Sequence, residues 1–179
     1  MSDLLVRLYD LPPLAPAVDA LGPGIEVRRA LAFERPQVAK FAREHGSDGW
    51  AAECDAAFAR VPLACFVAVR LTVKSIAPVP GPIDMSDEMV GFACYEAICR
   101  NFFGPELVDE RYRRRGVGKA LLLAALHAMR AEGYAYAIIG WASSIDFYRK
   151  AVGAIVIEGS RPGIYPFSPV RAPDPPKGR

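Results

Sequence analysis

Histidine is scarce in this chain of 179 residues, which has only His45 and His127. The four cysteines, Cys54, Cys65, Cys94 and Cys99, stand at no metal-ligand spacing. Both facts argue against a zinc site, so no metal is expected. Charge of one sign is missing too. Twenty-two basic and 20 acidic side chains leave a net +2, too little for general binding of polyanions. No apolar run is long enough to span a bilayer. The opening M-S-D-L-L-V-R lacks the basic region and long apolar run of a signal peptide. The expected setting is therefore the cytoplasm, away from membranes, with Cys65 and Cys94 as buried, reduced thiols inside strand-like runs. There is no internal repeat. The length, with 52% apolar residues, suits one domain with a sizeable core.

Against these absences stands one concentrated feature, V-D-E-R-Y-R-R-R-G-V-G-K-A-L-L, from Val108 to Leu122. An apolar segment, Phe102 to Val108, leads in, and an apolar helix to about Ala131 leads out. Gly116 and Gly118 let the backbone turn tightly and gather N–H groups. The first helical turn adds unpaired N–H groups and the positive end of the helix dipole. Arg113, Arg114 and Arg115 bring full charge. A strand, a basic glycine turn and a helix start make a site for phosphates. A P-loop is ruled out by spacing: Arg113 stands where its first glycine belongs and Ala120 where its hydroxyl belongs. A dinucleotide fingerprint fails at its third glycine, which is Leu121.

The rest of the chain reads as alternating elements. Residues 1–24 form an N-terminal arm with a possible strand, Leu4 to Tyr9, followed by L-P-P-L-A-P; it packs on the main domain or caps a cleft. Ile25 to Leu31 is a first strand. A helix opens at Pro36 and ends at Gly46. A second, capped by Ser47 or Asp48, closes at Pro62. Leu63 to Leu71 alternates as a strand, and Met89 to Ile98 is another. The connection from Lys74 to Glu88 is a long proline-bearing loop. Tyr134 to Ile139 is an apolar run of the kind buried on both faces. With Phe102–Val108 and the helix between them it makes a right-handed βαβ unit. Ser143-Ser144-Ile145-Asp146 reads as a capping box opening a short helix that Gly153 stops. Ala154 to Ile157 is the last strand. Residues 166–179 form a proline-rich tail, expected to be partly disordered. The main domain spans 25–165.

At R-x-x-G-x-G, filled by Arg113, Gly116 and Gly118 with Val108 ahead of it, the chain resembles the GNAT superfamily of N-acetyltransferases. The last helix, S-S-I-D-F-Y-R-K-A-V-G-A, is similar to that family's tail at Phe147-Tyr148, Lys150 and Gly153, with Val152 as one extra residue. The resemblance implies an α/β fold: a central, mostly antiparallel sheet with one parallel βαβ unit, two splayed central strands and helices on both faces. It implies transfer of an acetyl group from acetyl-CoA directly to a primary amine of a small molecule or peptide. Relatives are often dimers, so a homodimer is possible. The backbone at Val108 would hold the donor's pantetheine arm. Arg113, Arg114, Arg115, Gly116, Val117, Gly118, Lys119 and Ala120 would hold its diphosphate. Ser144 stands in for an asparagine that often contacts the donor. Tyr148 sits where the family's thiolate-protonating tyrosine sits. For the base, Glu96, Glu106 and plain water are all open. Two rivals remain: a catalytically silent acyl-CoA-binding or protein-interaction module, and a nucleic-acid binder using R-Y-R-R-R, against which the single basic cluster without an aromatic platform argues.

Overall fold

A computed structural model of the chain describes residues 1–71, 87–161, 163 and 164. Its elements run β1 (Ser2–Arg7), α1 (Ala15–Asp19), β2 (Ile25–Arg29), α2 (Arg35–His45), α3 (Asp48–Phe58), β3 (Cys65–Arg70), β4 (Glu88–Tyr95), β5 (Phe102–Val108), α4 (Val117–Ala131), β6 (Tyr136–Ala142), α5 (Ile145–Val152) and β7 (Ile155–Val156). From β2 onward this is the order read from the sequence. Most of the expected 74–88 loop and all of the 166–179 tail lie outside the described residues.

The strands form one sheet in the order β2-β3-β4-β5-β6-β1-β7. Every neighbouring pair is antiparallel except β5 and β6, which the α4 crossover makes parallel. Helices cover both faces. A side chain at Gly91 of β4 would come within 3.1 Å of Leu121 Cδ1 on α4. The next residue, Phe92, meets Phe41 of α2 edge-on, with ring centroids 6.2 Å apart. Successive strand residues point to opposite faces, so α4 and α2 lie on opposite sides of the sheet. Ser47 caps α3 as expected, its Oγ accepting the Trp50 N–H at 3.2 Å.

Helix α4 has almost no exposed face until its last turn: Leu121, Leu122, Leu123, Leu126 and Met129 are all wholly buried. One side lies on β3, β4 and β5; the N-terminal segment covers another, through α1. His127 Nε2 meets the Pro12 carbonyl oxygen at 2.9 Å, so this histidine serves as a structural tie.

The first residues are more than an appendage. β1 lies within the sheet, antiparallel to β6 on one side and β7 on the other. Leu4 and Val6 of β1 and Leu8 just beyond it are wholly buried, worth roughly 2 kcal/mol each in transfer terms. Asp3 adds polar ties: its carboxylate accepts the Trp141 N–H at 2.9 Å, and its own N–H donates to Ser160 Oγ at 2.9 Å.

Candidate active site

The sheet has a gap in its middle. β5 and β6 pair only at Phe102 with Ile138 and Phe103 with Ile139, and then part. The next two residues of β5 are Gly104, with φ of 125°, and Pro105. The first leaves the extended conformation, and the second has no N–H to offer a neighbouring strand. The ladder therefore ends where the sequence removes its means of continuing. The resemblance implied two splayed central strands; the local cause, the Gly-Pro pair in mid-strand, is what the reading of Phe102–Val108 as a strand did not use.

The basic glycine turn closes the wide end of the gap. Asp109, buried, accepts hydrogen bonds from the Arg111 N–H at 2.8 Å and from its guanidinium. Those bonds hold its carboxyl down to about 2. Arg111 also pairs with Glu88 at 2.7 Å. Arg113 donates to the Val108 carbonyl oxygen at 3.2 Å and pairs with Glu110 at 3.1 Å. Arg115 lies over the Tyr112 ring, 5.2 Å from its centroid. The run is thus partly used to fold its own turn. Arg114 and Lys119 are exposed and make no ion pair among the described residues. Gly116, at φ 89°, caps α4. Val117, Gly118 and Lys119 follow as the first turn, where no carbonyl lies behind their N–H groups. The Ala120 N–H is already spent on the Gly116 carbonyl at 3.0 Å. Of the expected backbone donors it is therefore the one engaged within the helix.

Two side chains meet inside the gap. Tyr148, on α5, packs edge-on to Phe103 and Phe147. Its phenol O–H donates to Glu106 Oε2 at 3.3 Å. Glu106 Oε1 is buried and has no hydrogen-bond partner among the described residues. It lies beneath the glycine turn: a Cβ on Gly118 would sit 3.3 Å from it, 3.6 Å from Val108 Cγ2 and 3.7 Å from Phe147 Cζ. Glycine is what lets helix, strand and carboxyl approach so closely. Burial pushes the Glu106 carboxyl up to about 8 despite the bond from Tyr148. Burial, reinforced by the Glu106 charge and hydrogen bond, moves the Tyr148 phenol well above its usual value.

The structure does not bring Glu96 to this group. It stands at the other end of the β4–β5 connection, buried, bonded to the Arg60 guanidinium and the Tyr134 phenol. Tyr95, Glu132 and Arg29 form a second polar cluster beside it. Ser144 caps α5 at the rim of an open hollow of about 590 Å3, lined by Ser143, Ser144, Ile145, Asp146, Phe147 and Arg149. The expected capping box does not form. The Ser144 hydroxyl makes no cap bond, and Asp146 pairs forward with Arg149 at 3.1 Å. Both serines stay exposed at the hollow.

Residues 76–154 match the family model described as Acetyltransferase (GNAT) family. No curated protein matches the chain. Solved structures do. A GCN5-related glucosamine N-acetyltransferase region of a fungal multi-domain β-N-acetylglucosaminidase aligns with TM-score 0.64 and 14% identity, over 87% of this chain and 19% of that one. A GCN5-related N-acetyltransferase from Sphaerobacter thermophilus gives 0.62 and 17%, over 87% and 48%. One from Kribbella flavida gives 0.55 and 18%, over 87% and 53%. The chain thus spans about half the length of these proteins or less. At such identities the shared property is the fold. The stretch 76–154 carries the sequence pattern of the GNAT acetyltransferases, and the chain around it has their fold.

Proposed function

We propose that the protein is an acyl-CoA-dependent N-acyltransferase that moves an acetyl group from acetyl-CoA directly to a primary amine of a small molecule or peptide. One observation carries the reading: a gap between two parallel strands with an anion cradle at its wide end and a phenol–carboxyl pair inside. Direct transfer needs the donor held, its carbonyl polarised and a proton supplied to the leaving thiolate. The N–H groups of Val117, Gly118 and Lys119 and the side chains of Arg114 and Lys119 suit a diphosphate. The unpaired edge of β5 toward Val108 suits an extended amide-bearing arm, as an added strand would. A backbone N–H aimed at the thioester oxygen would contribute about 3 kcal/mol to the barrier reduction. Tyr148 is the proton donor to sulfur. The amine's surplus proton leaves to water. Ser144, at the rim of the hollow, faces the donor.

The test is thermal stabilisation by acetyl-CoA compared with free CoA and longer acyl-CoAs, followed by thiol release with a panel of primary amines. The expected result is stabilisation by acetyl-CoA and release with at least one amine. Stabilisation without release would make the protein a silent acyl-CoA-binding module; no response to any of these compounds would end the proposal.

A further inference from the structure

Glu106 makes no ion pair among the described residues, and its Oε1 is buried. Three arginines of the neighbouring turn are turned elsewhere, Arg111 to Asp109 and Glu88, Arg113 to Glu110 and Arg115 to the Tyr112 ring, and the fourth, Arg114, is exposed and makes no ion pair among the described residues. The elements packed around the carboxyl offer little else. From α5 come Phe147 and Tyr148, from α4 Gly118, from β4 its register partner Ala93, and from β5 itself Val108. Among these only Tyr148 is titratable. An ionised carboxylate in such a place would keep one oxygen without hydrogen bond or counter-charge, which is costly; the neutral acid is the form this environment favours. Its one hydrogen-bond partner among the described residues is the phenol proposed above as the acid.

Resting on that acyl-transfer reading, we infer that Glu106 acts through Tyr148 as the proton reserve for the leaving thiolate. A buried phenol whose proton is hard to remove is by itself a weak acid. Backed by a neutral carboxyl it is not, because the phenolate never has to persist. At rest the phenol donates to Glu106 Oε2; hydroxyls rotate freely, so the phenolic oxygen can instead accept from the carboxyl O–H. In the transfer step the amine nitrogen bonds to the acyl carbon, the C–S bond breaks and its electron pair stays on sulfur. Sulfur takes the phenolic proton of Tyr148. The phenolic oxygen takes the Glu106 proton. The carboxylate so formed is reprotonated from water after products leave, and the amide nitrogen gives its extra proton to water. The carboxyl at about 8 is close to the ~8.5 of a free thiol, so the overall transfer is nearly level. This role is opposite in sign to general-base duty for Glu106. A reserve must be protonated, so turnover falls as pH rises past about 8; a base must be ionised, so turnover would rise there.

The experiment has two readings. Infrared difference spectra of the free protein across a pH titration should show a protonated-carboxyl band that fades near pH 8 and is missing in Glu106→Gln. In thiol-release assays with acetyl-CoA and the best of the primary-amine panel, Glu106→Gln should lower kcat about 10- to 100-fold with little change in KM for acetyl-CoA, and should lose the wild type's fall at high pH. Tyr148→Phe should lose the same fall, and the double variant should be little worse than either single one. Should Glu106→Gln melt at assay temperature, the Tyr148→Phe profile decides. An ionised Glu106 at pH 7, a wild-type rate that rises through pH 8, or a fall retained in Glu106→Gln or in Tyr148→Phe each overturns the relay alone. Absence of thiol release from the wild type with every amine, even with the titrating band present, removes the acyl-transfer reading and the relay with it.

Discussion

Glu96 and Glu106 are two carboxyls on the same strand hairpin, one just after β4 and one inside β5. Glu96 is bonded to the Arg60 guanidinium and the Tyr134 phenol. Glu106 has the Tyr148 phenol and, among the described residues, no guanidinium. Each has a tyrosine; only one has a cation. That single difference divides their roles. The charge of Glu96 is neutralised where it sits, and its two bonds tie the turns after α3 and after α4 to the sheet. Glu106 keeps an oxygen without a partner among the described residues, and burial favours its neutral form, which is a cost to folding.

Breaking the phenol on the Glu106 side should have the largest effect. Tyr148→Phe is expected to lower kcat about 100-fold or more, equivalent to about 2.7 kcal/mol of barrier, with KM for acetyl-CoA changed far less. Steady-state kinetics check it; unchanged turnover would leave Tyr148 a packing residue. On the other side, Glu96→Ala should show in stability rather than in rate. It strands Arg60 and Tyr134 without their shared acceptor, and a loss of about 2 kcal/mol in urea unfolding is expected. The cost stays below that of a fully buried pair because the Arg60 side chain is 39% exposed.

The contrast also has a pH signature. The Glu106 carboxyl sits at about 8 in the folded protein against 4.5 for the ordinary group, so the folded state keeps a proton the unfolded chain has released. Its contribution to stability is complete below the ordinary value and is lost as pH rises through about 8. Glu106→Gln should flatten that decline; an equal slope in the variant would mean that Glu106 is ionised after all. Asp109 runs the other way. Held at about 2, it contributes above its ordinary 3.8 and loses that contribution as pH falls through about 2. The smallest change is expected from Gly116→Ala, whose side chain must adopt φ 89°: about 1 kcal/mol of stability, with weaker binding of acetyl-CoA by calorimetry.

The sequence was most informative where a local pattern had one physical solution. Alternation in Leu63–Leu71 and the apolar helix after Gly118 could only be buried as strand and helix, and they are. The glycine turn was legible because R-x-x-G-x-G before an apolar helix joins charge, turn and helix start in one stretch. What the sequence withheld was pairing across distance. Nothing local says that Glu96 meets Arg60 while Glu106 meets Tyr148, since each contact joins elements far apart in the chain. The seat of β1 was hidden for the same reason: Leu4 to Tyr9 offered only a possible strand, and its partners β6 and β7 come far later in the chain. The gap between β5 and β6 was legible in principle. Gly104-Pro105 announces an interrupted ladder, but only to a reader who already knows that the strand is central.

That seat has a consequence for how the molecule comes to work at all. Leu5 pairs with Ile138, so β1 must wait for β6 to be made before the sheet can close around it. β6 is one wall of the gap and leans on β1 from behind. β1, made before the other strands described, is therefore among the last to dock, and the glycine turn is made before the chamber it serves can close.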